Sequence, residues 1–157
     1  MGWQDLLPGR RHVLLAMMGQ VFLIMLGIGL VGPIMPLYAQ SFDVGAAAVG
    51  GLITSFGLAR IVMNVPAGGL TERIGRKPLL IGGPLLTCVA ALLTGLAMRF
   101  DQLIIFRFIQ GLGSAAQTTA AMIVLADITT PQERGRAMSL YQGSLLVGRS
   151  FGPMLGG

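Results

Sequence analysis

Five long apolar runs dominate the chain, and the short stretches between them hold most of its charge. The first extends from Val13 to Leu37 without a charged residue. As a helix it would be about 37 Å long, enough to cross a hydrocarbon core of roughly 30 Å. The others are 45–68, interrupted by Arg60; 78–98, uncharged; 102–126, interrupted by Arg107; and 138–157, holding Arg149. One such run also suits a buried helix of a large soluble protein, but five in close succession do not. The first run is too long for the core of a signal peptide, and no clean cleavage site follows it. The pattern predicts an all-α membrane protein with five transmembrane helices. Thr130-Pro131-Gln132-Glu133 adds a helix-start signal: a capping-box spacing with proline at the first helical position.

Composition narrows the class. Of 157 residues, 54% are hydrophobic and only 11% charged, against about 25% charged in an ordinary soluble domain. A single soluble core of this size could not hide so much apolar surface. A disordered chain and a nucleic-acid module with a solvated basic face are excluded as well. Cys88 and His12 each stand alone. This excludes an internal disulfide, a cysteine-built metal site and multi-histidine zinc or haem sites, and no cofactor is expected.

The net charge of +5 matters through its placement. With five alternating spans, Arg10, Arg11, Arg73, Arg76, Lys77, Arg134 and Arg136 fall on one side, and only Arg99 falls on the other. The first side is therefore expected to be cytoplasmic. Residues 1–12 would form a cytoplasmic N-terminus, with Trp3 near the interface, and residues 13–157 a membrane bundle. Many transporters are built from inverted repeats of a few helices. Spans one to three would complete one repeat, and spans four and five would leave a second one short. The chain is thus expected to be a fragment.

Three stretches carry candidate chemistry. The first is Gly68-Gly69-Leu70-Thr71-Glu72-Arg73-Ile74-Gly75-Arg76-Lys77, between spans two and three. Gly68 would let helices approach closely and Gly75 would permit a tight turn. Asp127, at the cytoplasmic end of span four, lies at a similar depth to Arg76, so the two could form an ion pair. A plain positive-inside anchor is the simpler alternative.

The second stretch is Arg107-Phe108-Ile109-Gln110-Gly111-Leu112-Gly113-Ser114-Ala115-Ala116. An arginine inside a span faces protein or a water-filled cavity, or else snorkels to the interface. Gln117 and Thr118 extend the polarity along the same helix. Gly111-x-Gly113-x-x-Ala116 also fits a dinucleotide fingerprint, but the surrounding run shows no strand alternation. In the third stretch Gly148, Gly152 and Gly156 recur every fourth residue, with Pro153 and Gly157 alongside. The glycines would line one helix face for close contact with a neighbour, and the proline favours a kink.

These three strings resemble motifs of the major facilitator superfamily, in the expected order from Gly68 to Gly157. The first resembles the loop G-x-L-x-D-R-x-G-R-K between helices two and three, matched by Gly68, Leu70, Arg73, Gly75, Arg76 and Lys77. Glu72 stands where Asp is usual, keeping the charge and adding a methylene. The second resembles R-x-x-Q-G-x-G-A-A of helix four, with Ser114 at one Ala position. The third resembles G-x-x-x-G-P-x-x-G-G of helix five, associated with the antiporter branch.

The resemblance implies five helices of a six-helix N-terminal bundle and a missing C-terminal bundle as partner. It implies a cytoplasmic gate of Gly68, Leu70, Glu72, Arg73, Gly75, Arg76, Lys77 and Asp127. It also implies a substrate and proton cavity lined by Arg107, Gln110, Gly111, Gly113, Arg60 and Arg149. The expected activity is small-molecule transport by alternating access in the cell membrane, as drug efflux coupled to protons. An uptake permease of the same superfamily and a non-transporting accessory protein are the alternatives. The chain lacks a nucleotide-hydrolysis motif and a nucleophile–base pair or metal cluster, so an enzyme is not expected.

Overall fold

The computed structural model describes residues 8–156, with side chains from residue 11 onward. The expectations for Trp3, Arg10 and Gly157 lie outside what is described. Five helices follow one another: α1 (Pro8–Gln40), α2 (Ala46–Ile74), α3 (Arg76–Gly95), α4 (Phe100–Ile128) and α5 (Pro131–Gly156). Four are long and apolar enough to cross a membrane, namely α1 from Arg11 onward, α2, α3 and α4.

The fifth expected span is the point of difference. At 26 residues α5 is long enough, about 39 Å, but it lacks the apolarity of the other four. Its glycines, serines, Gln142 and Arg149 occupy positions where α1 and α3 carry Leu and Val. Close backbone contact has replaced greasy surface along this helix.

Two connections follow from local chemistry. A single residue, Gly75, separates α2 from α3 at φ 89° and ψ 168°, a region that only glycine occupies without strain. That is the tight turn expected there. At the start of α5, the backbone N–H and the hydroxyl of Thr130 both donate to Glu133 Oε2, at 3.3 and 2.8 Å. The helix then begins at Pro131, where a missing N–H costs nothing. The end of α3 was expected near Met98, but the helix stops at Gly95. Its last turn tightens there, with the Leu96 N–H donating to Leu93 O at 3.1 Å.

Large apolar side chains crowd the surface, as suits helices long and apolar enough to cross a membrane. Val65, Leu92 and Met98 are 84%, 72% and 87% exposed. Small residues recur through the interior: Ala59, Ala67, Ala90, Ala115, Ala116, Ala120 and Ala121 are all buried, alongside Val21, Leu52, Leu103 and Leu125. Buried Thr71, Thr87, Thr94 and Thr129 each donate to the carbonyl four residues back, at 2.6–2.9 Å. Their hydroxyls are thereby satisfied within their own helices, as a dry interior demands. The most apolar window of α4 is 56% buried, against 22–28% in α1, α2 and α3. Helix α4 is the most buried of the four.

Two compact units divide the described residues, one within Met1–Met35 and Val124–Gly157, the other Pro36–Ile123. In the second, α3 and α4 meet glycine to glycine. A Cβ built on Gly83 would lie 2.7 Å from Gly113 O, and one on Gly113 would lie 2.6 Å from Gly83 O. Leu79, Ala116 and Ala120 continue that contact, with Met63, Leu70 and Leu80 packed around them. Tyr38, in the last turns of α1, donates its hydroxyl to Ala97 O at 3.0 Å.

The Gly83–Gly113 contact makes a direct prediction. G83V or G113V forces α3 and α4 apart and lowers stability by about 1–3 kcal/mol. G82A, one residue away where an added Cβ meets nothing within 4 Å, leaves stability unchanged or slightly raised. Thermal unfolding in detergent reads the difference.

Candidate functional site

The arginine inside α4 is held in the protein. Arg107 is 7% exposed, so it does not snorkel to the interface. Its NH1 donates to Gln110 Oε1 at 3.1 Å, one turn further along the helix. Gln110 is itself 3% exposed. A charged guanidinium at this depth is costly unless its hydrogen bonds are met, and Gln110 supplies one acceptor.

The glycines of the same motif are structural. A Cβ on Gly111 would lie 2.6 Å from Phe56 O and 2.7 Å from Ala59 Cβ of α2, while Gly113 faces α3. Both glycines lie in the unbroken helix α4, which removes the dinucleotide alternative. Together they let α4 touch α2 and α3 at backbone distance, and this fixes Arg107 and Gln110 between packed elements.

Two further polar groups sit at the seam of α2 and α4. Thr119 Oγ1 lies 3.3 Å from Asn64 Oδ1 in a hydrogen bond between the helices. Arg60, one turn before Asn64, is half-buried. The sequence reading passed over Asn64, although a carboxamide inside an apolar run is itself a signal. The groove lined by Met63, Leu70, Leu79, Leu86, Leu112 and Ala116 in this unit holds no charged side chain. The candidate chemistry therefore follows the polar side of α4 and not that cavity.

The loop at 68–77 is arranged differently from its glycines' expected roles. Glu72, Arg73, Arg76 and Lys77 are exposed at the ends of α2 and α3. Gly75 makes the turn, but a Cβ on Gly68 would meet nothing within 4 Å. The close helix approach expected at Gly68 is absent among the described residues. Leu70 packs instead against the Leu79 cluster.

The other unit contains the third motif. Gly148, Gly152 and Gly156 lie along one side of α5 against α1. Added Cβ atoms there would run into Phe22 O and Met25, into Gly29, and into Leu30. From the opposite side, a Cβ on Gly29 would meet Arg149 O at 2.9 Å and Pro153 Cδ at 3.2 Å. The expected close contact is present, and its partner is α1 at Gly29. Arg149 itself is exposed. Arg134 donates from NH2 to Ala126 O at 2.9 Å, capping a carbonyl in the last turn of α4. Asp127 is exposed beside it.

A sequence profile described as "Major Facilitator Superfamily" matches residues 17–157. The chain belongs to that superfamily. Multidrug resistance protein 2 of Bacillus subtilis (strain 168) is 28% identical to it over 148 residues, which are 94% of this chain and 37% of that protein. Inner membrane transport protein YajR of Escherichia coli (strain K12) is 35% identical over 147 residues, 92% of this chain and 30% of that one. Quinolone resistance protein NorA of Staphylococcus aureus is 26% identical over 137 residues, covering 87% and 35%. The chain thus spans about a third of the length of these relatives. Among solved structures, a bacterial homologue of the human lysosomal transporter Spinster, inward-facing and occupied, superposes with a TM-score of 0.80. It is 25% identical and matches over 90% of this chain and 31% of that one. Five membrane-protein helices carrying the superfamily's motifs are thus a multi-pass arrangement of known type.

The Arg107–Gln110 bond yields a test of its own. Q110L takes away an acceptor from a buried cation and should lower stability by about 1–3 kcal/mol. Q110L in an R107L background should cost much less, because no charge is then left unmet. Unfolding of the two single variants and the double variant separates the cases.

Proposed function

We propose that this chain forms the N-terminal part of a cell-membrane transporter that exports small molecules in exchange for protons. The observation that carries the reading is the glycine side of α5, seated on α1 at Gly29. A backbone-close helix seam excludes solvent, and an exchanger must not leak protons through its own packing. The names of two relatives, multidrug resistance and quinolone resistance, support amphiphilic drugs as the substrate class.

In this reading the N-terminus is cytoplasmic, and this chain's helices rock against a second bundle around a central site. Arg107 and Gln110, held inside this chain's packing, set a fixed positive charge behind the wall of that site, and the resemblance also assigns Arg60 and Arg149 to it. The exposed charges Glu72, Arg73, Arg76 and Lys77 form a cytoplasmic latch with Asp127. Arg76 begins α3 and Asp127 stands in the last turn of α4; they have opposite charge, and in this reading both helix ends face the cytoplasmic edge of the membrane. A pair between them closes that edge in one state and breaks in the other. Gly148, Gly152, Pro153, Gly156 and Gly157 keep the seam tight. The proton-binding group is either an acid of the second bundle or Asp127 acting with the arginines of this chain.

Two measurements check this. In proteoliposomes with an imposed proton gradient, a lipophilic cationic drug should be expelled against its own gradient and should dissipate the proton gradient as it moves. Drug movement without proton counterflow contradicts exchange, and proton flow in the same direction as drug indicates uptake. For the latch, R76D and D127R should each lower transport about tenfold, the scale of one charge-assisted hydrogen bond. The double exchange should recover part of the loss. Equal loss in all three variants contradicts the pair.

A further inference from the structure

One side of α4 carries more hydrogen-bonding capacity than the structure spends. Arg107, Gln110, Ser114 and Gln117 fall within an arc of about 80° along some 15 Å of helix. They are 7%, 3%, 0% and 2% exposed. Three of their polar atoms, Arg107 Nε, Ser114 Oγ and Gln117 Oε1, have no partner among the described residues. These atoms are buried by this chain's own packing, so no second bundle can reach them.

Ser114 is the telling case. Thr54, Ser55, Thr118 and Ser144 turn their hydroxyls back onto carbonyls of their own helices, at 2.7–3.0 Å. The Ser114 hydroxyl is not spent this way and is held off its helix. A buried hydroxyl and amide oxygen left dry cost about 1–3 kcal/mol each. Native interiors meet such groups with internal water, which needs two to four polar partners.

We propose that α4 bears an internal water track from Arg107 to Gln117, with Ser114 as its middle post. Arg107 Nε donates to the track, Gln117 Oε1 accepts from it, and the Ser114 hydroxyl does both. Leu103 and Ala121, 0% and 2% exposed on the same side of the helix, close its ends, so the waters are isolated from bulk in this conformation. Arg107, at one end, sets the direction in which the waters point.

To test this, the intact protein, labelled with 15N-glutamine, is placed in lipid nanodiscs, and water-exchange cross-peaks are sought at the Gln117 side-chain amide, assigned by its loss in Q117M. The track predicts such peaks, and predicts that S114A abolishes them while the fold and melting temperature are kept or improved. Absence of the peaks in the unsubstituted protein overturns the track, whatever the protein transports. Peaks that persist unchanged in S114A overturn the place of Ser114 as its middle post.

Discussion

In lipid, apolar side chains gain nothing by leaving one neighbour for another. Helices associate there through close packing and hydrogen bonds, and every other feature of this chain depends on that constraint. It explains why glycine and alanine take so large a part of the interior while many leucines and valines lie outside. It also explains why the closest contacts, Gly83 with Gly113, Gly111 with Phe56, and Gly152 with Gly29, bring backbone against backbone. A Cβ at any of these positions would need space that the helices do not leave.

Close packing in turn decides where polarity can be kept. Threonines inside the bundle return their hydroxyls to their own helices, and Arg107 draws on Gln110. Helix α4 is the most buried of the four apolar helices and carries the densest polar side. That combination is unfavourable unless the polar groups serve each other or bound water. Stability and function therefore draw on the same residues. Gly111 and Gly113 place α4 close enough to α2 and α3 to keep Arg107 away from lipid. The same closeness leaves Ser114 and Gln117 facing into a shielded interior.

Much of this is legible in the sequence. Helix positions follow from uninterrupted apolar length, and the starts at Gly75 and Pro131 follow from residues whose backbone chemistry allows little else. The side of α5 that packs is readable from the spacing of Gly148, Gly152 and Gly156. Less legible was which partner each glycine meets. Gly68 and Gly83 look alike in sequence, yet only Gly83 has a neighbour pressed against it, because close approach is a property of two helices at once. The burial of Arg107 was open for the same reason, since an arginine a few residues inside a span can reach either way. Asn64 paired with Thr119 went unread because a lone carboxamide names no partner. The length of α5 suggests a span as apolar as the rest, but its glycines, serines and Arg149 keep it below the other four.

The central claim is that α4 keeps its polar side within protein and that α3 lies toward lipid. Spin labels placed singly along both helices in lipid bilayers, with dissolved oxygen as the relaxing agent, test it most directly. The account predicts high oxygen access at Ile81, Leu85, Val89 and Leu92 of α3, recurring with the helical period. It predicts low access at Leu103, Gln110, Ser114 and Ala121 of α4. High oxygen access along that side of α4, at the level of Leu92, would place the arginine helix against lipid and contradict the account.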